Sequence, residues 1–418
     1  MRDATAARPS SPSGRCERDD AGDGPPVSDA LSPPADAWQQ RVAIELQYPV
    51  VFTRGVFDPA NTSLAWAMSR KEPRRRHRAL VVVDEGVAQA WPDLEHAIAS
   101  YAERHSQRVE LVDTPRVIAA GERAKNDPAL VGSLHEWFQC NRMDRHAFVV
   151  IVGGGAVLDA AGYAAATAHR GLRVIRVPTT VLAQNDAGIG VKNGINAFGT
   201  KNFLGTFAVP FAVLNDADFI ATLHRRDRIA GIAEAIKVAL IRDRSFFTWI
   251  ETHASALERG EVEPTATMIR RCAELHLEHI RTSGDPFETG SARPLDFGHW
   301  AAHKLESLTE HGLRHGEAVA LGMQIDTSYS ALTARLPPED AERVRRVIAC
   351  VGLPVWHEML EQRAPGGRLR VLDGLDEFRE HLGGDLTITL LEEIGRGVEV
   401  DFIDDAIMTA CIEQLGPR

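Results

Sequence analysis

The chain has 418 residues, 44% hydrophobic and 25% charged, which gives an ordinary soluble protein room for two cores. Its formal net charge of −11 leaves no basic stripe of the kind a nucleic-acid partner requires, although a few local cations suffice to hold a small anion. No apolar run approaches a bilayer span and the first residues carry Asp, Glu and Arg where a signal peptide is apolar, so a cytoplasmic protein without a membrane partner is expected. Cys16, Cys140, Cys272, Cys350 and Cys411 are scattered without CxxC spacing and read as reduced thiols.

Residues 1–36 are rich in Pro, Ser, Ala, Gly and Asp and are expected to form a disordered tail. Order is expected from Trp38 to Phe52, with one or two strands over Val42–Phe52. The basic run Arg74–Arg78 reads as a solvated segment before the strand Leu80–Asp84, which ends in a carboxylate, a place where doubly wound sheets often meet a ribose. A second strand spans Arg108–Val112. A third, Phe148–Val152, runs into Gly153, Gly154 and Gly155 and then into a helical pattern over Ala156–His169 that contains Asp159. Strand, glycine turn and helix make a place where backbone amides can meet a pyrophosphate, and a tight structural turn explains the triplet equally well. The next loop, Pro178–Asn196, is too polar for a core. Asp186, Lys192, Asn196, Lys201 and Asn202 there suit a phosphorylated polyol, or else a solvated surface.

Beyond about residue 225 the pattern becomes helical, with helices expected over Gly231–Arg242, Pro264–Arg281, His299–Leu308 and His315–Ala334. Glu234, His299 and His315 offer one carboxylate and two imidazoles, a set that can hold Zn²⁺ with a coordination position left open; Co²⁺ takes the same ligands. The plain alternative for Glu234 is an i,i+3 ion pair with Lys237, and for His303, one turn after His299, packing or ordering of the histidine cluster. His276, His279 and His311 fall in no motif and are treated as non-ligands.

From Leu80 to His381 the chain resembles the sugar phosphate cyclase superfamily, whose best-known member is 3-dehydroquinate synthase. The resemblance is carried by GExxK at Gly121–Lys125, GGGxxxD at Gly153–Asp159, Arg170-Gly171, Pro178-Thr179-Thr180, Asp186 with Lys192, Lys201-Asn202, AExxK at Ala233–Lys237, FGH-x3-H at Phe297–His303, and HGEAV from His315. It implies an α/β fold with an N-terminal Rossmann-like NAD-binding domain over 37–225 and a mainly α-helical metal- and substrate-binding domain over 226–418. It assigns the metal to Glu234, His299 and His315, and NAD to Asp84, Glu122, Lys125, Gly153, Gly154, Gly155, Asp159, Thr179 and Thr180. Asp186, Lys192, Lys237 and His303 match catalytic positions, and Lys201 and Asn202 substrate positions. Arg170 resembles a phosphate ligand given across a homodimer interface. The implied chemistry is transient oxidation by NAD⁺, phosphate elimination, return of the hydride, and aldol closure.

Departures from 3-dehydroquinate synthase bear on the substrate. Counting back from His299, the positions that hold that enzyme's substrate carboxylate fall on Glu278, Ala292 and Asp296, with Arg293 and Pro294 beside them. Acids there oppose a carboxylate and accept hydrogen bonds from a hydroxymethyl group, so Glu278 and Asp296 are expected to bind a substrate such as sedoheptulose 7-phosphate. The wording of 184–199 and 294–300 most resembles the 2-epi-valiolone synthase branch. A 2-epi-5-epi-valiolone synthase, 3-dehydroquinate synthase itself, a metal-dependent polyol dehydrogenase and a non-catalytic binding protein are the alternatives. A late lysine-rich segment of the family reads here as Phe378–Asp385, where Arg379 or His381 takes the lysine's place.

Overall fold

The computed structural model describes residues 36–38, 40–283, 295–310, 312–381, 384 and 386–416. The expected tail therefore lies almost wholly outside the described residues, as do Ala292, Arg293, Pro294, His311 and the end of the 378–385 segment. Contacts divide the chain into one unit that ends at Leu46 and another from Gln47 to Arg418.

The strands expected over Val42–Phe52 shrink to one, β1 (Val50–Thr53). Val42, Ile44 and Leu46 alternate as a strand would, yet they are exposed and make no ladder: alternation without a partner strand does not suffice. After α1 (Ser63–Ser69) come β2 (His77–Asp84), α2 (Glu85–Ala90), α3 (Leu94–Arg104), β3 (Val109–Leu111), β4 (Arg116–Ile118), α4 (Glu122–Asn126), α5 (Leu130–Cys140), β5 (Phe148–Gly153), α6 (Gly155–Thr167) and β6 (Arg173–Pro178). A hairpin of β7 (Lys192–Ala197) and β8 (Thr200–Phe207) precedes β9 (Ala212–Asp216). The main sheet has seven strands in the order β1-β9-β6-β5-β2-β3, with β4 also on β2, and every pairing in it is parallel.

Period-two side chains explain why both faces are covered. Val81, Val83, Val150 and Val152 enter one apolar cluster with α1 and α3, while Leu80, Val82, Val149 and Ile151 enter another with α5 and α6. A sheet buried on both faces in this way requires near-continuous apolar strands, as β2 and β5 are.

The rest is helical: α7 (Arg225–Arg242), α8 (Arg244–Arg259), α9 (Val262–Thr282), α10 (His299–Leu308), α11 (His315–Leu332), α12 (Pro338–Cys350), α13 (Asp373–His381) and α14 (Asp405–Leu415), with an antiparallel hairpin of β10 (Ile388–Glu393) and β11 (Arg396–Val400). Every residue of α7 from Ile229 to Ile241 is buried, so α7 is the axis of this part, packed against α8, α9 and α11. No helix among the described residues is long and apolar enough to cross a membrane.

Candidate active site

The glycine turn stands where β5 meets α6. A Cβ on Gly153 would lie 2.7 Å from Val157 Cγ1 and 3.1 Å from Asp84 Cβ, so only glycine lets the strand end this close to β2. Gly154 touches Thr180, Gly155 faces Ala187, and Thr179 N–H donates to Gly153 O at 3.0 Å. The first turn of α6 has no side-chain cap, which leaves its amides for an anion. Asp84 caps α2 by accepting from Gly86 N at 2.8 Å. Burial raises its pKa, against the pull of backbone donors from Gly86, Val87 and Gly154.

Beside the turn, Lys125 Nζ donates to Asp159 at 2.8 Å and to Asn202 Oδ1. Asn196 Nδ2 donates to Glu122 at 2.9 Å, and Asn196 Oδ1 accepts from Asn202 N–H. Residues assigned separately to cofactor and substrate thus form one network. Lys201 pairs with Glu306 at 3.1 Å and lies 3.9 Å from Glu122. Lys192, at the start of β7, is exposed. Arg170 is exposed beyond the opposite end of the 13-residue α6, about 20 Å along the helix from the glycine turn.

Asp186 sits in a π-helical turn, Ala183–Ala187, a local form common at functional sites. The loop after it is held by Arg176, which sequence reasoning missed. This fully buried side chain donates to the carbonyls of Gly188, Gly190 and Lys192 and to Asn193 Oδ1, at 2.8–3.2 Å. A lone Arg inside the apolar strand Val174–Pro178 was the available signal.

Asp186 also corrects two readings. His276 is not a bystander: its Nδ1 lies 3.2 Å from Asp186 Oδ1, and one donor atom each from Asp186, Glu234 and His276 lie within 4.8 Å of one another. Glu278 points away, exposed and paired with Arg281 at 2.6 Å. Two residues along a helix turn the side chain by about 200°, so the face that carries His276 cannot also carry Glu278.

Glu234 and Lys237, both buried on α7, pair at 2.8 Å. Burial alone would lower the Lys237 pKa; the charges of Glu234, Asp186 and Asp296 outweigh it and keep the ammonium. Glu234 Oε1 is buried with no hydrogen-bond partner among the described residues, and burial, against the pull of Lys237, raises the Glu234 pKa. A Cβ on Gly316 would lie 1.8 Å from Ala230 O, so α11 touches the backbone of α7 here, beside His315.

His299, His303 and His315 form a cluster with ring centroids 5.5–6.3 Å apart. Burial, then the neighbouring Lys237, His315 and His303, push the His299 pKa well down, so its imidazole is neutral. Its Nδ1 lies 3.2 Å from Phe297 O, and His315 Nδ1 lies 3.5 Å from Glu306 Oε2. A proton on each of those nitrogens would leave its Nε2 as a lone-pair donor, the arrangement that orients metal-binding histidines. A buried carboxylate and two imidazoles are donor types that Zn²⁺ accepts, and among the described residues the group whose ligand atoms lie within 4.8 Å of one another, close enough to share an ion, is Asp186, Glu234 and His276. Glu306 is a second residue that sequence reasoning missed. Burial would raise its pKa, but the hydrogen bond from His315 and the charge of Lys201 help hold it at about 2. Arg379 lies instead beside Asp376, in a cleft with Arg368 and Phe402.

Family models described as 3-dehydroquinate synthase N-terminal and C-terminal match residues 116–230 and 231–367. A 3-dehydroquinate synthase of Bradyrhizobium sp. is 35% identical over 370 residues, covering 87% of this chain and 92% of its own. A 2-epi-5-epi-valiolone synthase of Actinomyces sp. is 33% identical over 338 residues, 78% of this chain and 85% of its own. Among solved structures, 2-epi-5-epi-valiolone synthase of Streptomyces hygroscopicus subsp. jinggangensis 5008, with NAD⁺ and Zn²⁺ bound, superposes with a TM-score of 0.79 at 30% identity, covering 90% of this chain and 99% of that one.

Proposed function

Because the chain belongs to the 3-dehydroquinate synthase family, we propose that this sugar phosphate cyclase closes sedoheptulose 7-phosphate to a valiolone-type cyclitol, with 2-epi-valiolone favoured over 2-epi-5-epi-valiolone. The α/β part to about residue 225 holds NAD and the helical part holds the metal, Zn²⁺ or Co²⁺, and the substrate. The enzyme works in the cytoplasm as a homodimer, in which Arg170 serves the partner's phosphate site.

One observation carries the choice of substrate. Lys237, the buried ammonium of the site, already faces Glu234, Asp186 and Asp296. A substrate carboxylate set beside them would be a fourth anion around one cation, whereas hydroxyl groups donate to those same oxygens. His276 and Asp296, rather than Glu278, are the residues that meet this end of the substrate.

When bound, the dinucleotide supplies a hydride acceptor that ends unchanged, and the metal supplies a Lewis acid. Glu234, His299 and His315 hold the metal; Asp84, Glu122, Lys125, Gly153–Gly155, Asp159, Thr179 and Thr180 form the cofactor's bed. Lys237 and Asp186 orient the ring hydroxyls, and the Lys237 charge stabilises the enolate that follows loss of phosphate. Lys192, Lys201, Asn202 and Arg170 hold the phosphate as it departs. His303, exposed beside His299, exchanges the proton at the leaving oxygen with water. Substrate and product differ by the loss of phosphate alone.

Conversion to 3-dehydroquinate is the second reading, favoured by the relative of that name at 35% identity. Purified protein with NAD⁺ and Zn²⁺ or Co²⁺ is given each heptulose phosphate separately, and released phosphate is assayed with the product identified by NMR. A cyclitol from sedoheptulose 7-phosphate alone supports the first reading, and its stereochemistry separates the two valiolones. Dehydroquinate alone supports the second.

A further inference from the structure

Asp326, in the middle of α11, is a fully buried carboxylate that none of the chemistry above uses. Its Oδ2 accepts the backbone N–H of Gly298 at 3.0 Å, and its Oδ1 accepts Trp300 Nε1–H at 2.9 Å. These two donors stand on either side of His299, the first residue of α10. Gly298 has a left-handed φ of +78°, and the helix behind it leaves no room: a Cβ on Gly322 would stand 2.0 Å from Gly298 O, and one on Gly298 would stand 2.7 Å from Met323 N.

Surroundings of this kind do not favour a carboxylate. Trp300 and Phe297 are buried to 1% and 0% exposure, and the two N–H groups are the hydrogen-bond donors to the Asp326 side chain among the described residues. An apolar residue of similar volume would cost less to bury. What a carboxylate adds is direction, since its two oxygens tie a backbone turn and an indole to the same helix that begins with His315.

We propose that Asp326 is a positioning residue: by clamping both neighbours of His299 onto α11, it fixes the spacing and aim of the two imidazoles. The proposal rests on the reading of Glu234, His299 and His315 as the metal site. Loss of the clamp leaves His299 in place but free to rotate, and supports behind a metal ligand are worth about 10- to 100-fold in affinity.

The test uses full-length protein stripped of metal with a chelator. Zn²⁺ affinity is measured by competition with a chromophoric chelator, and the visible absorption of bound Co²⁺ reports ligand geometry. Asp326→Asn keeps the shape but turns an amide N–H toward a donor. Trp300→Phe removes one donor and keeps the carboxylate. Affinity is expected to fall 10- to 100-fold in Asp326→Asn and by a smaller factor in Trp300→Phe, each with an altered Co²⁺ spectrum while circular dichroism is unchanged. Zn²⁺ affinity within threefold of wild type together with a native Co²⁺ spectrum overturns the clamp, and where Asp326→Asn does not fold, Trp300→Phe decides by the same two readouts. His299→Ala separates the premise: if it binds Zn²⁺ like wild type, the metal-site reading has failed, whereas a loss there with none in the other variants refutes the clamp alone.

Discussion

Replacing His276 by Lys tests which residue of α9 meets the substrate. In the structure His276 Nδ1 is 3.2 Å from Asp186, inside a cluster where Glu234, Asp186 and Asp296 face Lys237. Three carboxylates and one ammonium sum to −2; a lysine at 276 brings this to −1, and an arriving substrate carboxylate then meets a second cation. Two unit charges about 4 Å apart at an effective dielectric constant of about 20 interact by about 4 kcal/mol, and desolvation reduces the net gain to that of a charged hydrogen bond, about 1.5–3 kcal/mol. The ratio of kcat/KM for the carboxylated heptulosonate phosphate over sedoheptulose 7-phosphate should therefore rise by about 10- to 150-fold, measured by phosphate release with each substrate. Glu278→Lys is the control, because Glu278 is exposed and pairs with Arg281. Its ratio should stay within about twofold. An unchanged ratio in His276→Lys, or a shift in Glu278→Lys, refutes the orientation argued for α9.

Three further outcomes follow from the same geometry. Glu306 is held at a pKa of about 2 against an ordinary 4.5, so its contribution is complete above pH 4.5 and is lost as pH falls toward 2; metal-free wild type should lose about 1.4 kcal/mol between pH 7 and pH 3.5 that Glu306→Gln does not, by urea denaturation at both pH values. Arg176→Met strands several loop carbonyls and should cost about 3–5 kcal/mol, with proteolysis appearing first near 188–193; native stability with a resistant loop would show that other contacts hold the Asp186 loop. If Arg170 serves the partner's site, Arg170→Ala and Lys237→Met are each inactive, and equal mixing with subunit exchange restores about a quarter of wild-type activity, one intact site in the half of the dimers that are mixed. No recovery on mixing places Arg170 outside the shared site.

The fold was readable where a local pattern determines its own partner. Strand, glycine turn and helix at 148–167 leave the chain one compact path, and the apolar runs of β2 and β5 announce a sheet covered on both sides. Val42, Ile44 and Leu46 alternate as a strand would, yet 42–49 form no strand, because a ladder needs a neighbour that sequence does not name. The site was readable by residue type more than by direction. Counting back from His299 to Glu278 crossed 284–294, where one shift in spacing rotates the helix face. The face was nevertheless written in α9 itself: Met268, Cys272, Ala273, His276 and His279 are buried, while Arg271, Glu274, Glu278 and Arg281 are exposed. Helical periodicity was a better guide there than motif arithmetic. Glu306 gave no such signal, since its role depends on Lys201 arriving from the β7–β8 hairpin more than 100 residues earlier.

The pairing of charges in the site has a consequence for catalysis. Lys125 is held by Asp159, Lys201 by Glu306 and Lys237 by Glu234, so three of the ammonium groups offered to cofactor or phosphate already have an anion. An arriving phosphate gains little from them in the ground state, because it must compete with a carboxylate already in place. Charge that develops during reaction is a different matter. The Lys237 ammonium is kept protonated by its acidic neighbours, and its position is fixed by the i,i+3 pair on the buried stretch of α7. It therefore needs neither a proton nor a new rotamer when an enolate forms beside it, and its binding energy is available where it lowers the barrier. In the proposed reaction, the same acids that oppose a substrate carboxylate thus hold the ammonium ready for an anion that exists only during turnover.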